Sequence, residues 1–169
     1  YRQRCVCGFS GEIDLARRAA DPAVVARMAA TMGDRGPDGW GLWAQGPVAL
    51  GHRLLKIIAR TERGAQPMVD PELGLAVVFN GCVYNHHELR RELEAAGYRF
   101  FSTSDTEVLL KAYHRWGDAC VEHLSGMFAF CMVERDSGRV LLARDRLGIK
   151  PLYLAEVDGA LRFASTLPA

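Results

Sequence analysis

The sequence predicts an α+β domain in which antiparallel sheets carry helices packed on their faces. Three observations predict it. Two hairpins stand near the C-terminal end, one folding back at Asp136-Ser137-Gly138 and one at Asp158-Gly159, where turn residues separate β-rich runs. Three longer stretches show helical apolar spacing. Strands and helices do not alternate in the regular way that parallel βαβ units require. The chain has 169 residues, 49% of them apolar and 24% charged, an ordinary mix for one domain with a real core.

The elements follow in order. Residues 5–13 read as a strand. Asp21 then caps a helix whose first residue is Pro22. Val24, Val25, Met28, Ala29 and Met32 form its apolar face, and Gly33 is its expected end. The stretch DRGPDGWG is a loop by composition. Strands are expected at 41–44, 48–55 and 75–79, with a DPELG turn before the last. A second helix spans 86–96, with Asn85 as N-cap and Glu88 in a capping-box-like position. The third follows Ser104-Asp105-Thr106-Glu107, a cleaner capping box, with a stripe of Val108, Leu109, Ala112, Tyr113 and Trp116. Strands 126–134 and 139–143 form one hairpin; 152–157 and 161–164 form the other. No repeat, low-complexity tract or linker is present.

Bulk properties exclude several classes. The net charge of +1 implies no nucleic-acid or anionic-membrane partner. No apolar run approaches the ~20 residues of a membrane span, and no signal-peptide apolar region stands at the start. Five cysteines (Cys5, Cys7, Cys82, Cys120, Cys131) are an odd number without framework spacing. They suit a reducing, cytoplasmic setting better than a disulfide scaffold. The ending RFASTLPA leaves a longer parent chain as the expectation.

Cys5 and Cys7 are two apart, so in a strand they share a face. Such a pair is open to four readings: a metal half-site, a redox pair, two packed thiols, or one nucleophile with a bystander. Zinc wants a second pair at ligand spacing. Cys120 and His123 are three apart, but on a helical stretch where cysteine is more often a small buried residue. No metal is therefore expected.

The motifs that follow Cys7 carry more information. A Cys-Gly-Phe-Ser-Gly start leads to RGPDGWG, GHRLLKI, FNGCVYN, SDTEV, GMFAF and RDRLGIKPLY. In this order and spacing they resemble the glutamine amidotransferase domain of the asparagine synthetase family, the class II amidotransferases. The resemblance runs from Cys7 to Ser165. NGCVYN and FASTLPA are most similar to its N-acetylglutaminylglutamine amidotransferase branch. The resemblance implies an N-terminal-nucleophile (Ntn) hydrolase fold, a four-layer αββα sandwich with two antiparallel sheets between helices. It implies hydrolysis of L-glutamine to glutamate and ammonia, which a C-terminal synthetase domain consumes. That domain would use ATP and Mg; this one would need no cofactor. A homodimer is compatible with the family, and the final nitrogen acceptor is set elsewhere in the parent chain.

Roles carry over residue by residue. Cys7 matches the nucleophile, whose thiolate attacks a carboxamide to give a thioester that water cleaves. The family's base is the α-amino group of the same cysteine, with a pKa of about 8, near enough to working pH to take a proton. Asn80 and Gly81 match the oxyanion hole; the plain alternative is an Asn-Gly turn at a strand end. Asp105 matches the anchor for the glutamine α-ammonium; the alternative is helix capping alone. Its place at a helix N-terminus favours the ionised form. Arg35, Gly36, Pro37 and Asp38 match the RGPD loop beside the pocket. Arg144, Asp145, Gly148, Lys150 and Pro151 match a hairpin with an expected structural or domain-facing role.

Three features depart from the family pattern. Its His-x-Arg-Leu motif supplies the arginine that holds the α-carboxylate; here Leu54 occupies that position. An aliphatic chain cannot replace a guanidinium fork, and Arg53 should point to the opposite face. Weak glutamine binding or none is then expected unless Lys56 reaches across. Cys82 stands in place of the family's Asn-Gly-Glu glutamate, leaving Asp105 alone with the ammonium. Finally, residues 1–6 precede Cys7, as a propeptide or as an upstream start-site artefact with Val6 as the true start, ahead of a domain at 7–169. These departures keep a second reading open: an impaired pseudo-amidotransferase retained as a packing module.

Overall fold

The computed structural model describes residues 7–34, 39–54, 65–167 and 169. They form two antiparallel sheets and four helices: β1 (Gly8–Asp14), α1 (Pro22–Ala30), β2 (Gly39–Gln45), β3 (Val48–Leu54), β4 (Met68–Asp70), β5 (Leu75–Val83), α2 (His86–Ala95), α3 (Asp105–Trp116), α4 (Cys120–His123), β6 (Gly126–Glu134), β7 (Val140–Arg144), β8 (Tyr153–Val157) and β9 (Ala160–Ala164). One sheet has the order β2-β3-β1-β9-β8, the other β4-β5-β6-β7. The expected α+β class and the four-layer αββα order are both present. Among the described residues, no helix is long and apolar enough to cross a membrane.

Alternation along the strands builds the layers. From β1, Phe9 and Ile13 enter the core between the sheets, where they meet Val48, Leu50, Ala76, Val78, Ala129, Cys131 and Phe163. Phe9 and Phe163 meet edge-on with centroids 6.3 Å apart, a geometry worth about 0.5–1.5 kcal/mol beyond burial. The other face of β1 and β3 carries α1. Ser10 Oγ donates to the Val25 carbonyl at 3.4 Å, and Arg53 Nε donates to the Ala29 carbonyl at 3.0 Å. On the far side, α2 and α3 cover β5 and β6 through Val77, Phe79, Leu89, Leu93, Leu109 and Phe130.

The local signals succeed unevenly. Asp21 Oδ1 accepts from the Ala23 amide at 2.8 Å, with Pro22 first in the helix, as expected. That helix ends at Ala30, earlier than Gly33, with Thr31 as its C-cap. Asn85 makes no side-chain cap; its amide reaches the His123 carbonyl and its oxygen takes the Ser125 amide. At α3 the cap is Ser104, whose Oγ accepts from Glu107 N. The reciprocal half of that box is absent, because Glu107 accepts from the Phe101 and Ser102 amides and pairs with Lys111. The first described strand starts at Gly8; Cys5 lies outside the described residues. The three-residue strand β4 carried no visible pattern, and β5 runs to Val83, well past residue 79.

Candidate active site

β5 carries the centre of the site. Leu75, Val77, Phe79 and Val83 turn toward the helices, while Ala76 and Val78 enter the inter-sheet core. By the same alternation Asn80 and Cys82 take the inner face. Asn80 is 1% exposed, and its Nδ2 has no acceptor among the described residues. A buried donor left unpaired costs about 1–3 kcal/mol, so this amide marks a place where an acceptor is wanted.

Gly81 sits in the ladder opposite Phe128, and Asn80 opposite Ala129. The plain Asn-Gly turn is thereby corrected: the pair lies inside a paired strand, not at its end. A Cβ at Gly81 would stand 2.2 Å from the Met127 carbonyl oxygen and 2.8 Å from Phe128 Cα. Both are backbone atoms, so only glycine fits this close approach.

Amides two residues apart on a strand point the same way. Phe79 N donates to Gln66 Oε1 at 2.6 Å. Val83 N donates to Asp105 Oδ2 at 3.0 Å. Gly81 N lies between them on the same edge. Pairing with β4 reaches only as far as Val77, opposite Met68. Among the described residues, no strand runs along the stretch of edge that the Gly81 amide faces. Among the described residues, Asn80 Nδ2 and Gly81 N are two adjacent donors without acceptors, the composition of an oxyanion hole.

The opposite sheet brings the thiol. Cys7 immediately precedes β1; it is half-buried and in no disulfide. Gly8 pairs with Arg53 and Phe9 with His52, so the next step of that register sets Cys7 against Leu54. The Leu54 backbone pairs with Gly39; its side chain lies outside the described residues. So do Arg35, the rest of the RGPD loop, Lys56 and residues 1–6. Arg53 is turned toward α1, as alternation requires.

His52 joins the two sheets. It is fully buried on the inner face of β3, beside the Phe79 backbone. Neither ring nitrogen reaches a well-formed hydrogen bond, and the Phe79 contact only weakly favours the charged ring. Burial dominates and pushes its pKa down to about 4. In the unfolded chain it is near 6.5. Between those values the unfolded chain binds the extra proton, so stability falls as pH falls through that window. The loss is on the order of 3 kcal/mol. Urea denaturation at pH 7 and pH 4.5 is expected to show it, and the His52→Leu variant to lose most of it.

Asp105 is the first residue of α3, not its cap, which corrects the capping alternative. Its carboxylate instead holds the end of β5 through Val83. Burial pushes its pKa up, against smaller lowering by the Val83 amide and by His86. Burial thus outweighs the helix-end argument for a firmly ionised carboxylate. A cation docked on it would favour the charged form. The Cys82 thiol, also half-buried, is raised first by burial, then by the negative Asp105, and lowered by the positive Lys150. Lys150, to which the sequence reading gave a structural or domain-facing role, is thus a charged neighbour of Cys82. Its signal was a lone lysine in a Gly-Ile-Lys-Pro turn, which carries no address. Cys120 is buried, with its thiol pushed up to about 12, and His123 stacks on Trp116. Both behave as packed residues.

A half-buried thiol one residue before β1, in an αββα sandwich of two antiparallel sheets, gives an N-terminal-nucleophile type of fold. The chain matches the glutamine amidotransferase domain family over residues 6–169 and belongs to it. It is 37% identical over 167 residues to asparagine synthetase [glutamine-hydrolyzing] 3 of Bacillus subtilis, covering 97% of this chain and 27% of that protein. It is 34% identical over 166 residues to asparagine synthetase B of Escherichia coli, covering 97% and 30%. The chain therefore spans between a quarter and a third of these relatives. Among solved structures, the glutamine phosphoribosylpyrophosphate amidotransferase of B. subtilis, complexed with ADP and GMP, superposes with a TM-score of 0.77. That match covers 94% of this chain and 42% of the other at 23% identity, a likeness of fold.

Proposed function

We propose that this domain hydrolyses L-glutamine through a Cys7 thioester and passes the ammonia to an ATP-dependent, amide-forming synthetase domain. The carrying observation is the buried Asn80 amide, which has no acceptor among the described residues, beside Gly81 within β5. The Cys7 α-amine takes the thiol proton, and Sγ bonds to the side-chain carbonyl carbon of glutamine. The oxygen becomes an anion between Asn80 Nδ2 and Gly81 N. The C–N bond then breaks, the proton goes to the departing nitrogen as ammonia, and water cleaves the thioester to glutamate. The amine can act as base only when it is not in a peptide bond, so activity requires a chain whose first residue is Cys7. Membership in the family and the curated relatives' glutamine-hydrolysing names support this reading. The branch motifs point to a dipeptide amide as the parent's product, in the cytoplasm.

The test is glutamate release from a Cys7-initiated chain. Cys7→Ala is expected to lower it by more than about a hundredfold and to abolish covalent labelling by an electrophilic glutamine analogue. Equal glutamate release by the two chains would sink the reading. Leu54 and Cys82 favour the second reading, a packing module without turnover; a Cys7-initiated chain that neither binds nor hydrolyses glutamine would establish it.

Asp105 gives a pH signature. Its raised pKa means that the ammonium-binding carboxylate is neutralised at a higher pH than an ordinary aspartate. KM for glutamine is expected to rise on acidification before ordinary carboxylates titrate. Asp105→Asn is expected to raise KM about tenfold or more and to flatten that rise.

A further inference from the structure

We propose that Gln66 is a positioning residue for glutamine hydrolysis. It ties the strand carrying Asn80 and Gly81 to the helix carrying Asp105 and to the sheet that Cys7 enters. The proposal rests on the glutamine-hydrolysing reading above and adds to it a residue that acts through others.

The strand register shows what Gln66 replaces. Met68 pairs with Val77. Two further steps of that antiparallel register set Gln66 opposite Phe79. β4 begins only at Met68, so the ladder stops short of this pair. The Gln66 carbonyl lies against β2 of the other sheet, so close to Gly41 that a Cβ there would collide with it. The side chain takes the part of a ladder carbonyl: Oε1 accepts from Phe79 N at 2.6 Å.

The chemistry of the carboxamide fixes its orientation. Only its oxygen can accept an N–H, so the Phe79 bond settles which way the group lies. Nε2 is then turned to α3, where it donates to Thr106 Oγ1 at 3.4 Å. Gln66 is buried, and a buried polar group bonded at both ends is rigid. Its loss would leave Phe79 N an unpaired buried donor.

These contacts reach three parts of the site. Phe79 stands two residues before Gly81 on one strand edge. Val83 stands two residues after it and donates to Asp105 Oδ2 at 3.0 Å. The Gly81 amide is therefore set between two amides, each held by a side chain. Thr106 follows Asp105 in the first turn of α3, so both holds lead to that one turn. On the other side, Gly41 pairs with His52, and His52 with Phe9, two residues after Cys7. A misplacement of about 1 Å at a reacting group can cost on the order of a hundredfold in rate. Gln66 fixes the strand with the donors against both the helix and the sheet.

The experiment compares Gln66→Met and Gln66→Glu with the unsubstituted Cys7-initiated chain. Glutamate release is expressed per Cys7 that an electrophilic glutamine analogue labels. Gln66→Met fills similar space and makes neither bond; it is expected to lower kcat per labelled site about tenfold or more. Gln66→Glu keeps an acceptor for Phe79 N and is expected to retain most of that rate. A residue that only props the fold would reduce the number of labelled sites and leave kcat per site unchanged, and that result overturns the proposal. Equal losses in the two variants overturn it as well. Amide hydrogen exchange, read by NMR on the Cys7→Ala chain, needs no turnover: adding Gln66→Met is expected to speed exchange at Phe79, and unchanged exchange there refutes the hold on β5. An unsubstituted chain that neither labels nor releases glutamate defeats the glutamine reading itself. An active unsubstituted chain beside an unimpaired Gln66→Met chain defeats this proposal alone.

Discussion

Asn80→Ala is expected to lower kcat for glutamine hydrolysis by about 10²–10³ while KM moves little. The reason is the state of the amide without substrate. Asn80 is buried on the inner face of β5, and its Nδ2 has no acceptor. A planar carboxamide oxygen gains most from that donor after it becomes a tetrahedral anion, so the interaction strengthens in the transition state. Removing the side chain also removes an unsatisfied buried donor, so no large loss of stability accompanies the loss of rate. Steady-state kinetics and urea denaturation on the same variant check both halves. A rise in KM at constant kcat would make Asn80 a ground-state contact.

Lys111→Met is expected to destabilise the fold by about 3–5 kcal/mol, the largest stability effect of a single side chain here. Lys111 Nζ lies 3.1 Å from Asp70 Oδ2 and 3.0 Å from Glu107 Oε1, and all three groups are buried. Removing the cation leaves two buried carboxylates, of which Glu107 is wholly inaccessible. Glu107 also takes the Phe101 and Ser102 amides, so it fixes the chain entering α3. Asp105 stands two residues before it. The same variant is thus expected to raise KM through a loosened Asp105, at temperatures where it remains folded. A denaturation midpoint equal to that of the parent would show the triad to be idle.

Alternation and turn chemistry made the sheets and the main helices legible. β4 was not, because three residues cannot display a period; it exists through pairing with β5. The end of β5 was misread because Asn-Gly is a turn signal in isolation, while here the glycine answers a demand of the neighbouring strand's backbone. The capping alternative for Asp105 fails, since Ser104 and Asp105 are both good caps and only three dimensions choose between them. The direction of Arg53 followed from parity. The placing of Lys150 was not legible, because its N–H donates to Asp145 and its carbonyl accepts from Arg144. No spacing rule encodes those bonds.

The early end of β4 also bears on self-association. An exposed strand edge is a template on which another chain can add a strand. Along β5 the amide of Phe79 is taken by Gln66 and that of Val83 by Asp105, both through side chains. Between them the Gly81 amide has no acceptor among the described residues. One free donor accommodates one oxygen atom and is too short a gap to seed a ladder. The two flanking side chains thus act as end-stops, giving this edge an opening sized for a carbonyl oxygen and closed to a foreign strand.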